Sequence, residues 1–286
     1  MNSNFFNKNN FVITGGTDGM GAASAIEFCR LGANVHIIGR SEEKAIALSE
    51  KVKGYSGKLF YWISDFSLMK NVEKTVNDIA SKIPHIDYII HSVGILITNT
   101  QHTKEGLEKD FAVSYLSRFV FNELLHKNDK ISSKTKILNI AASSPKVPSY
   151  AQMEFDNITE VTARVGMKSH GQAQLANDLY TELAAKRYSI VSIGYGPGSV
   201  DTSIRREIPK FFRAVMKPFF YFSTRKPEDV AQHFVEILSA NNLKFGNSYF
   251  YNKMGQFEIS DFITDKKRQS DLLHISKTLS QKALIL

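Results

Sequence analysis

Near the N-terminus the run Thr14-Gly15-Gly16-Thr17-Asp18-Gly19-Met20-Gly21 follows a short apolar stretch and opens a segment of helical periodicity. Glycines at this spacing, between a strand and a helix, suit one chemical task, holding a pyrophosphate. Gly15 permits the sharp turn, Gly19 lets the main chain approach the phosphates, and Gly21 lets the helix pack close to the sheet. Thr17 and Met20 belong to the same turn. The helix behind it aims free N–H groups and its positive dipole end at the anion. The next apolar run ends in Ile37-Ile38-Gly39-Arg40-Ser41. A carboxylate there would bind ribose hydroxyls. Arg40 instead offers a guanidinium that can pair with a 2′-phosphate and stack on adenine, which favours NADP(H) over NAD(H). Taken alone, one basic residue could equally be a surface arginine.

Positioning such a site requires a regular scaffold. Strand-length apolar runs are expected at 11–14, 34–38, 59–64, 88–92, 136–141, 190–195 and 248–251. Helical segments are expected between them at 21–31, 42–53, 68–82, 104–126, 168–187 and 227–239. This alternation predicts an α/β single-domain Rossmann fold, a doubly wound parallel sheet of about seven strands with helices on both faces. No internal repeat, low-complexity tract or linker splits residues 1–286. Residues 265–286 are more polar and read as a loose terminal helix or tail.

Composition narrows the classes. With 43% apolar residues the chain can bury a sizeable core. A net charge of +8 suits a polyanionic ligand, and a nucleotide phosphate suffices; the lysines are dispersed and no nucleic-acid motif is present. The single cysteine, Cys29, falls in the first helix, where a small buried apolar residue is the simpler reading, and suits a reducing, cytoplasmic location. No apolar run reaches membrane-spanning length and no signal-peptide pattern precedes the first strand. The remaining histidines lack metal-site spacing, and no nucleophile-elbow motif points to a hydrolase.

The motifs in order resemble the short-chain dehydrogenase/reductase family, particularly its retinol-dehydrogenase-like branch, over residues 10 to 252. Thr14–Gly21 matches the family's glycine turn. Asp65, with Phe66 in Ser64-Asp65-Phe66-Ser67, matches the aspartate that meets adenine. In His91-Ser92-Val93-Gly94 only Gly94 matches the family's Asn-Asn-Ala-Gly. Pro197-Gly198-Ser199-Val200-Asp201-Thr202 matches the segment that holds the nicotinamide amide. The resemblance therefore implies Gly15, Thr17, Gly19, Met20, Gly21, Arg40, Asp65, Phe66, Val93, Gly94, Pro197, Gly198, Val200 and Thr202 as the cofactor site.

The family's catalytic set does not carry over. Its asparagine falls on Ser114 in Phe111-Ala112-Val113-Ser114-Tyr115. Its serine falls on Ala142, with Ser143 one residue beyond. The register set by Leu175-Ala176-Asn177-Asp178-Leu179 puts its tyrosine at His170 and its lysine at Gln174. No Tyr-x-x-x-Lys falls on any expected helix.

Three readings follow. His170 and Gln174, four apart on one helix face, could replace the pair: imidazole as general acid, and a neutral amide that avoids like-charge repulsion and still bonds ribose. The same pocket could instead run a non-redox cyclisation or isomerisation. It could also be an inactive nucleotide-binding pseudoenzyme.

Beyond Thr202, Ile208, Phe211, Phe212, Val215, Met216 and Phe219 form an apolar stripe at helical spacing. By family resemblance residues 203–222 would be a lid over a bulky hydrophobic substrate, such as a polyketide, terpenoid or lipid-like carbonyl compound. A peripheral membrane contact, a homo-oligomer interface or plain core packing would give the same pattern.

Overall fold

The computed structural model describes residues 5–97, 101–149, 151–155, 158, 167–201 and 224–285. The lid segment 203–222 and Thr202 lie outside the described residues. One eight-stranded sheet carries the fold, with spatial order β3-β2-β1-β4-β5-β6-β7-β8. Its strands are β1 (Asn10–Thr14), β2 (Asn34–Gly39), β3 (Lys58–Ile63), β4 (Tyr88–His91), β5 (Lys136–Ile140), β6 (Val191–Gly196), β7 (Ser248–Asn252) and β8 (Gly255–Phe257). All pairings are parallel except β7 with β8. The seven expected strands are thus β1 to β7. The eighth escaped the sequence reading because it spans three residues and is returned by a tight hairpin. There the Met254 N–H donates to Asn252 Oδ1 (2.7 Å) and Gly255 adopts φ +118°.

Helices α1 (Gly19–Arg30), α2 (Glu42–Lys51), α3 (Met69–Lys82), α4 (Lys109–Phe111), α5 (Ser117–Lys127), α6 (Met167–Arg187) and α7 (Pro227–Leu238) join the strands. Several start where a side chain or Pro suits the first turn. Asp18 accepts from Gly19 N–H (2.7 Å) at α1, and Ser41 accepts from Lys44 N–H (3.3 Å) at α2. Glu105 accepts from the N–H groups of Met69 and Lys70 at α3. Val72, Val76 and Ile79 of α3, Phe119 of α5 and Leu179 of α6 pack on one face of the sheet. Phe28 of α1, Leu48 of α2, and Phe234 and Leu238 of α7 pack on the other. Between the two layers β1, β4 and β6 are buried along their length, which is why apolar and small residues dominate them.

Two expectations are corrected. The segment 104–126 is not helical from its start: buried Glu108 accepts from the N–H groups of Asp110 (3.0 Å) and Phe111 (2.6 Å), so the helix begins at Lys109. Between α4 and α5 the chain widens into a π-helical turn, Ala112–Leu116. The terminal segment is helical but not loose. It forms α8 (Asp261–Thr264) and α9 (Lys266–Ile285), whose Leu272 and Ala283 are fully buried, and Ser276 meets the buried hydroxyl of Tyr115 at 2.7 Å. Leu272, Ser276, Leu279 and Ala283 fall on one helix face, a stripe masked by the polar average of the segment.

Candidate active site

Because β1 to β6 are parallel, their following loops gather along one sheet edge, and the order reverses between β1 and β4. The glycine turn lies at that switch point. Gly15 has φ +70°, and a β-carbon there would stand 2.7 Å from the main-chain nitrogen of Val93. A β-carbon on Gly21 would stand 2.3 Å from the Gly15 carbonyl oxygen, so the helix can approach only because that residue is glycine. Gly19 also has positive φ, +51°. Thr17 leans on the end of β2, where a Gly39 β-carbon would come within 2.4 Å of its side chain. Met20 is half-buried at the start of α1. The backbone is therefore shaped for the close approach a dinucleotide needs.

Beyond β2, exposed Arg40 lines a cavity of about 310 Å³ with Trp62, Asp65, Asn71 and Lys74 among its walls. Lys44 pairs with Asp18 beside the glycine turn. Asp65 is exposed, and its Oδ1 accepts from Ser67 N–H (3.0 Å). Phe66 is different. Its ring is 3% exposed and packs 5.7 Å from that of Phe121, so only its main chain could meet a ligand. Val93 and Gly94 follow β4, and Pro197, Gly198 (φ +66°) and Val200 follow β6; Val200 bridges to Arg225.

The expected catalytic residues fall on two facing polar stripes. One carries Asp110, Ser114, Arg118 and Asn122, four residues apart along α4, the π-turn and α5. The other carries His170, Gln174, Asn177, Asp178 and Thr181 along α6. His170 and Gln174 do share a face: Gln174 Nε2 lies 3.3 Å from His170 Nε2. On the ring's other side, His170 Nδ1 lies 3.2 and 3.3 Å from the two carboxylate oxygens of Asp110, which is wholly buried. Ser114 donates to Asp110 Oδ1 (2.7 Å) and accepts from Ile95 N–H (3.1 Å). The Ser114 carbonyl, at the π-turn, accepts from Asn177 Nδ2 (2.8 Å).

Ser143 does not join them. Its hydroxyl donates to Asp178 Oδ1 (2.7 Å), its N–H points at the same carboxylate, and it is 1% exposed with φ +32°. Next to the position of the family's serine, its hydroxyl is thus occupied in the interior. Burial raises the Asp178 carboxyl to about 7, against the Ser143 hydrogen bonds and the Arg118 guanidinium. Arg118 is itself buried, donates to the carbonyls of Val93 (2.6 Å) and Ile140 (2.7 Å), and so ties the ends of β4 and β5. Burial lowers it to about 9, while Asp110 and Asp178 oppose that shift.

Asp110, Arg118 and Asp178 were missed from sequence. The available signal was polar residues recurring every fourth position inside otherwise apolar helices. A Tyr-x-x-x-Lys does occur in the chain, at Tyr249 and Lys253. It lies on β7 and its turn, with Tyr249 Oη accepting from Lys244 N–H and Lys253 exposed, so it is no helix-borne pair.

Other reactive groups stay in the background. Burial pushes the free Cys29 thiol up to about 12. Burial also lowers His36 to about 4 and His91 to about 3. Among the described residues no cluster could hold a metal ion, and no helix is long and apolar enough to cross a membrane.

Comparison with known proteins agrees with this architecture. Human polyprenol dehydrogenase is 24% identical over 254 residues, covering 85% of this chain and 76% of its own. Human retinol dehydrogenase 14 is 26% identical over 293 residues, covering 94% and 85%. A crystal structure of an uncharacterised protein from Mycobacterium paratuberculosis superposes with TM-score 0.73 at 18% identity, covering 96% and 94%. A short chain dehydrogenase from Shigella flexneri complexed with NADP does so with TM-score 0.65 at 16% identity, covering 86% and 98%. The short chain dehydrogenase profile matches residues 9–211, most of the chain and all of the edge described above, and the chain belongs to the short-chain dehydrogenase/reductase family.

Proposed function

We propose that this chain is an NADP(H)-dependent oxidoreductase that acts on a carbonyl or hydroxyl group of a bulky hydrophobic metabolite, with His170 as its acid–base group. The observation that carries the reading is the buried Asp110 carboxylate on His170 Nδ1, which leaves Nε2 on the Gln174 side of the ring. Imidazole held by a carboxylate on one nitrogen and free to exchange a proton at the other is the arrangement general acid–base catalysis needs.

Glycines at 15, 19 and 21, with Thr17, would hold the pyrophosphate, and Arg40, with Lys74 on the same cavity, would take the 2′-phosphate. Val93, Gly94, Pro197, Gly198, Val200 and Thr202 would line the reactive end. Bound there, the cofactor would supply or accept the hydride. Gln174 would bond ribose or yield Nε2 to the substrate. Retinol and polyprenol dehydrogenases are named for apolar alcohols, which supports a hydrophobic substrate here. A buried free thiol fits a reducing compartment such as the cytoplasm.

His170→Phe tests the reading. Turnover should fall at least ~10²-fold, with NADPH affinity nearly unchanged. Undiminished turnover would remove His170 from the mechanism. Product formed from a native metabolite extract without NADPH consumption would point to a cyclase or isomerase. NADPH binding with no turnover of any metabolite in that extract would point to a pseudoenzyme.

A further inference from the structure

We infer that Ser114 and Asp110 act together as a positioning pair that fixes which nitrogen of His170 exchanges the proton. The inference rests on the reading of His170 as the acid–base residue. It concerns the ring's tautomer, which can be measured without substrate.

The directions of the hydrogen bonds follow from donor chemistry alone. A main-chain N–H only donates, and that of Ile95 is given to Ser114 Oγ at 3.1 Å. The Ser114 proton therefore points elsewhere. Its short contact is Asp110 Oδ1 at 2.7 Å, against 3.5 Å to the Ile95 carbonyl. A carboxylate oxygen accepts. His170 Nδ1, 3.2 Å from Oδ2, must then carry a hydrogen. In the neutral ring this leaves Nε2 bare, and the Gln174 amide, 3.3 Å away, can donate to it.

The relay runs one way: Ile95 N–H to Ser114, Ser114 O–H to Asp110, Asp110 against His170 Nδ1–H. A substrate alcohol that displaces the amide meets a lone pair on Nε2. When the ring is protonated, a substrate carbonyl meets Nε2–H. Ser114 stands at the position of the family's asparagine, and here its hydroxyl orients a carboxylate. Ile95 follows directly on Gly94, so the relay also ties the histidine to the loop after β4.

The test is ¹⁵N NMR of the neutral His170 ring, assigned by loss of its signals in His170→Phe. The wild type should show Nδ1 protonated and Nε2 bare. In Asp110→Asn the amide oxygen stays with the Ser114 hydroxyl. The amide N–H₂ then faces Nδ1 and drives the ring hydrogen to Nε2. The tautomer should invert and turnover should fall by about 10²-fold or more, with NADPH affinity unchanged. Asp110→Asn combined with Ser114→Ala frees the amide to turn over, and the hydrogen should return to Nδ1.

A wild-type ring with Nδ1 bare overturns the inference before any variant is made. So does an unchanged tautomer in Asp110→Asn, or a double variant that behaves like the single one. Full turnover in His170→Phe would instead defeat the acid–base reading and leave the tautomer result standing.

Discussion

Asp178→Asn should stabilise the fold in alkali and leave it unchanged, or slightly weaker, in acid. The carboxylate is buried in α6 and receives the N–H and hydroxyl of Ser143. Burial outweighs those hydrogen bonds and nearby Arg118, raising the carboxyl from 3.8 to about 7. In the unfolded chain it ionises near its ordinary value. Between the two values the folded protein holds a proton that the unfolded chain has released. Stability therefore falls as pH rises through this window, and the full penalty is present above about 7. At about 1.4 kcal/mol per pH unit the upper bound is ~4 kcal/mol, with ~1–3 kcal/mol the realistic range once the interior's screening is allowed for. Asparagine keeps an oxygen for the Ser143 donors and carries no charge. Urea denaturation of both proteins at about pH 4.5, 6 and 8 should show a gap that opens with pH while the m-values stay equal. His91 and His36, lowered to about 3 and about 4 by burial, make stability fall in acid, but equally in both proteins. A gap independent of pH would refute the assignment of a protonated Asp178.

Arg40→Ala should narrow the preference for NADPH over NADH without abolishing NADH binding; quenching of Trp62, the only tryptophan and a wall of the same cavity, reads both affinities. Leu272→Ala should cost about 2–5 kcal/mol of stability, seen as a lower urea midpoint, because its side chain is fully buried under α9. His170→Tyr with Gln174→Lys should recover little ketoreductase activity while the Asp110 carboxyl group stands beside the new phenol, and adding Asp110→Asn should raise it; kcat of the three proteins with a model ketone decides.

The order of the elements was legible because buried parallel strands are apolar on both faces and the helices between them are not. The glycine turn was legible for a steric reason: at Gly15 and Gly21 no larger residue fits. Family position says where a residue falls along the chain, not where its side chain points. Ser143, one residue from the expected serine, seemed an adequate substitute in one dimension. In three, the left-handed backbone at 143 turns its hydroxyl inward to Asp178. Phe66 stood beside a cofactor aspartate and turned out to be core. Asp110 could not be found by position at all, since its importance comes from a residue sixty places away. Asn177 and Asp178 served only to set the helix register, although Asn177 bonds the Ser114 carbonyl beside the site and Asp178 holds Ser143 in the interior. The lid expectation rests on residues outside those described.

The substitutions at the site make electrical sense together. An imidazole at 170 with a lysine kept at 174 would face an ammonium one turn away, which opposes its protonated form. A neutral glutamine removes that opposition. A carboxylate at 110 adds the attraction, and Ser114 supplies a hydroxyl to one of its oxygens. The backbone groups around Asp110 are served by other side chains. The π-turn carbonyl at Ser114 is served by Asn177, and α4 is capped by Glu108. Burying a carboxylate is costly even with His170 against it and the Arg118 guanidinium within electrostatic reach. Simple decay of a Tyr–Lys pair accounts for His170 and Gln174 but gives no reason for a buried acid aimed at the histidine's Nδ1. That extra residue weighs toward a working acid–base site and against an inactive remnant.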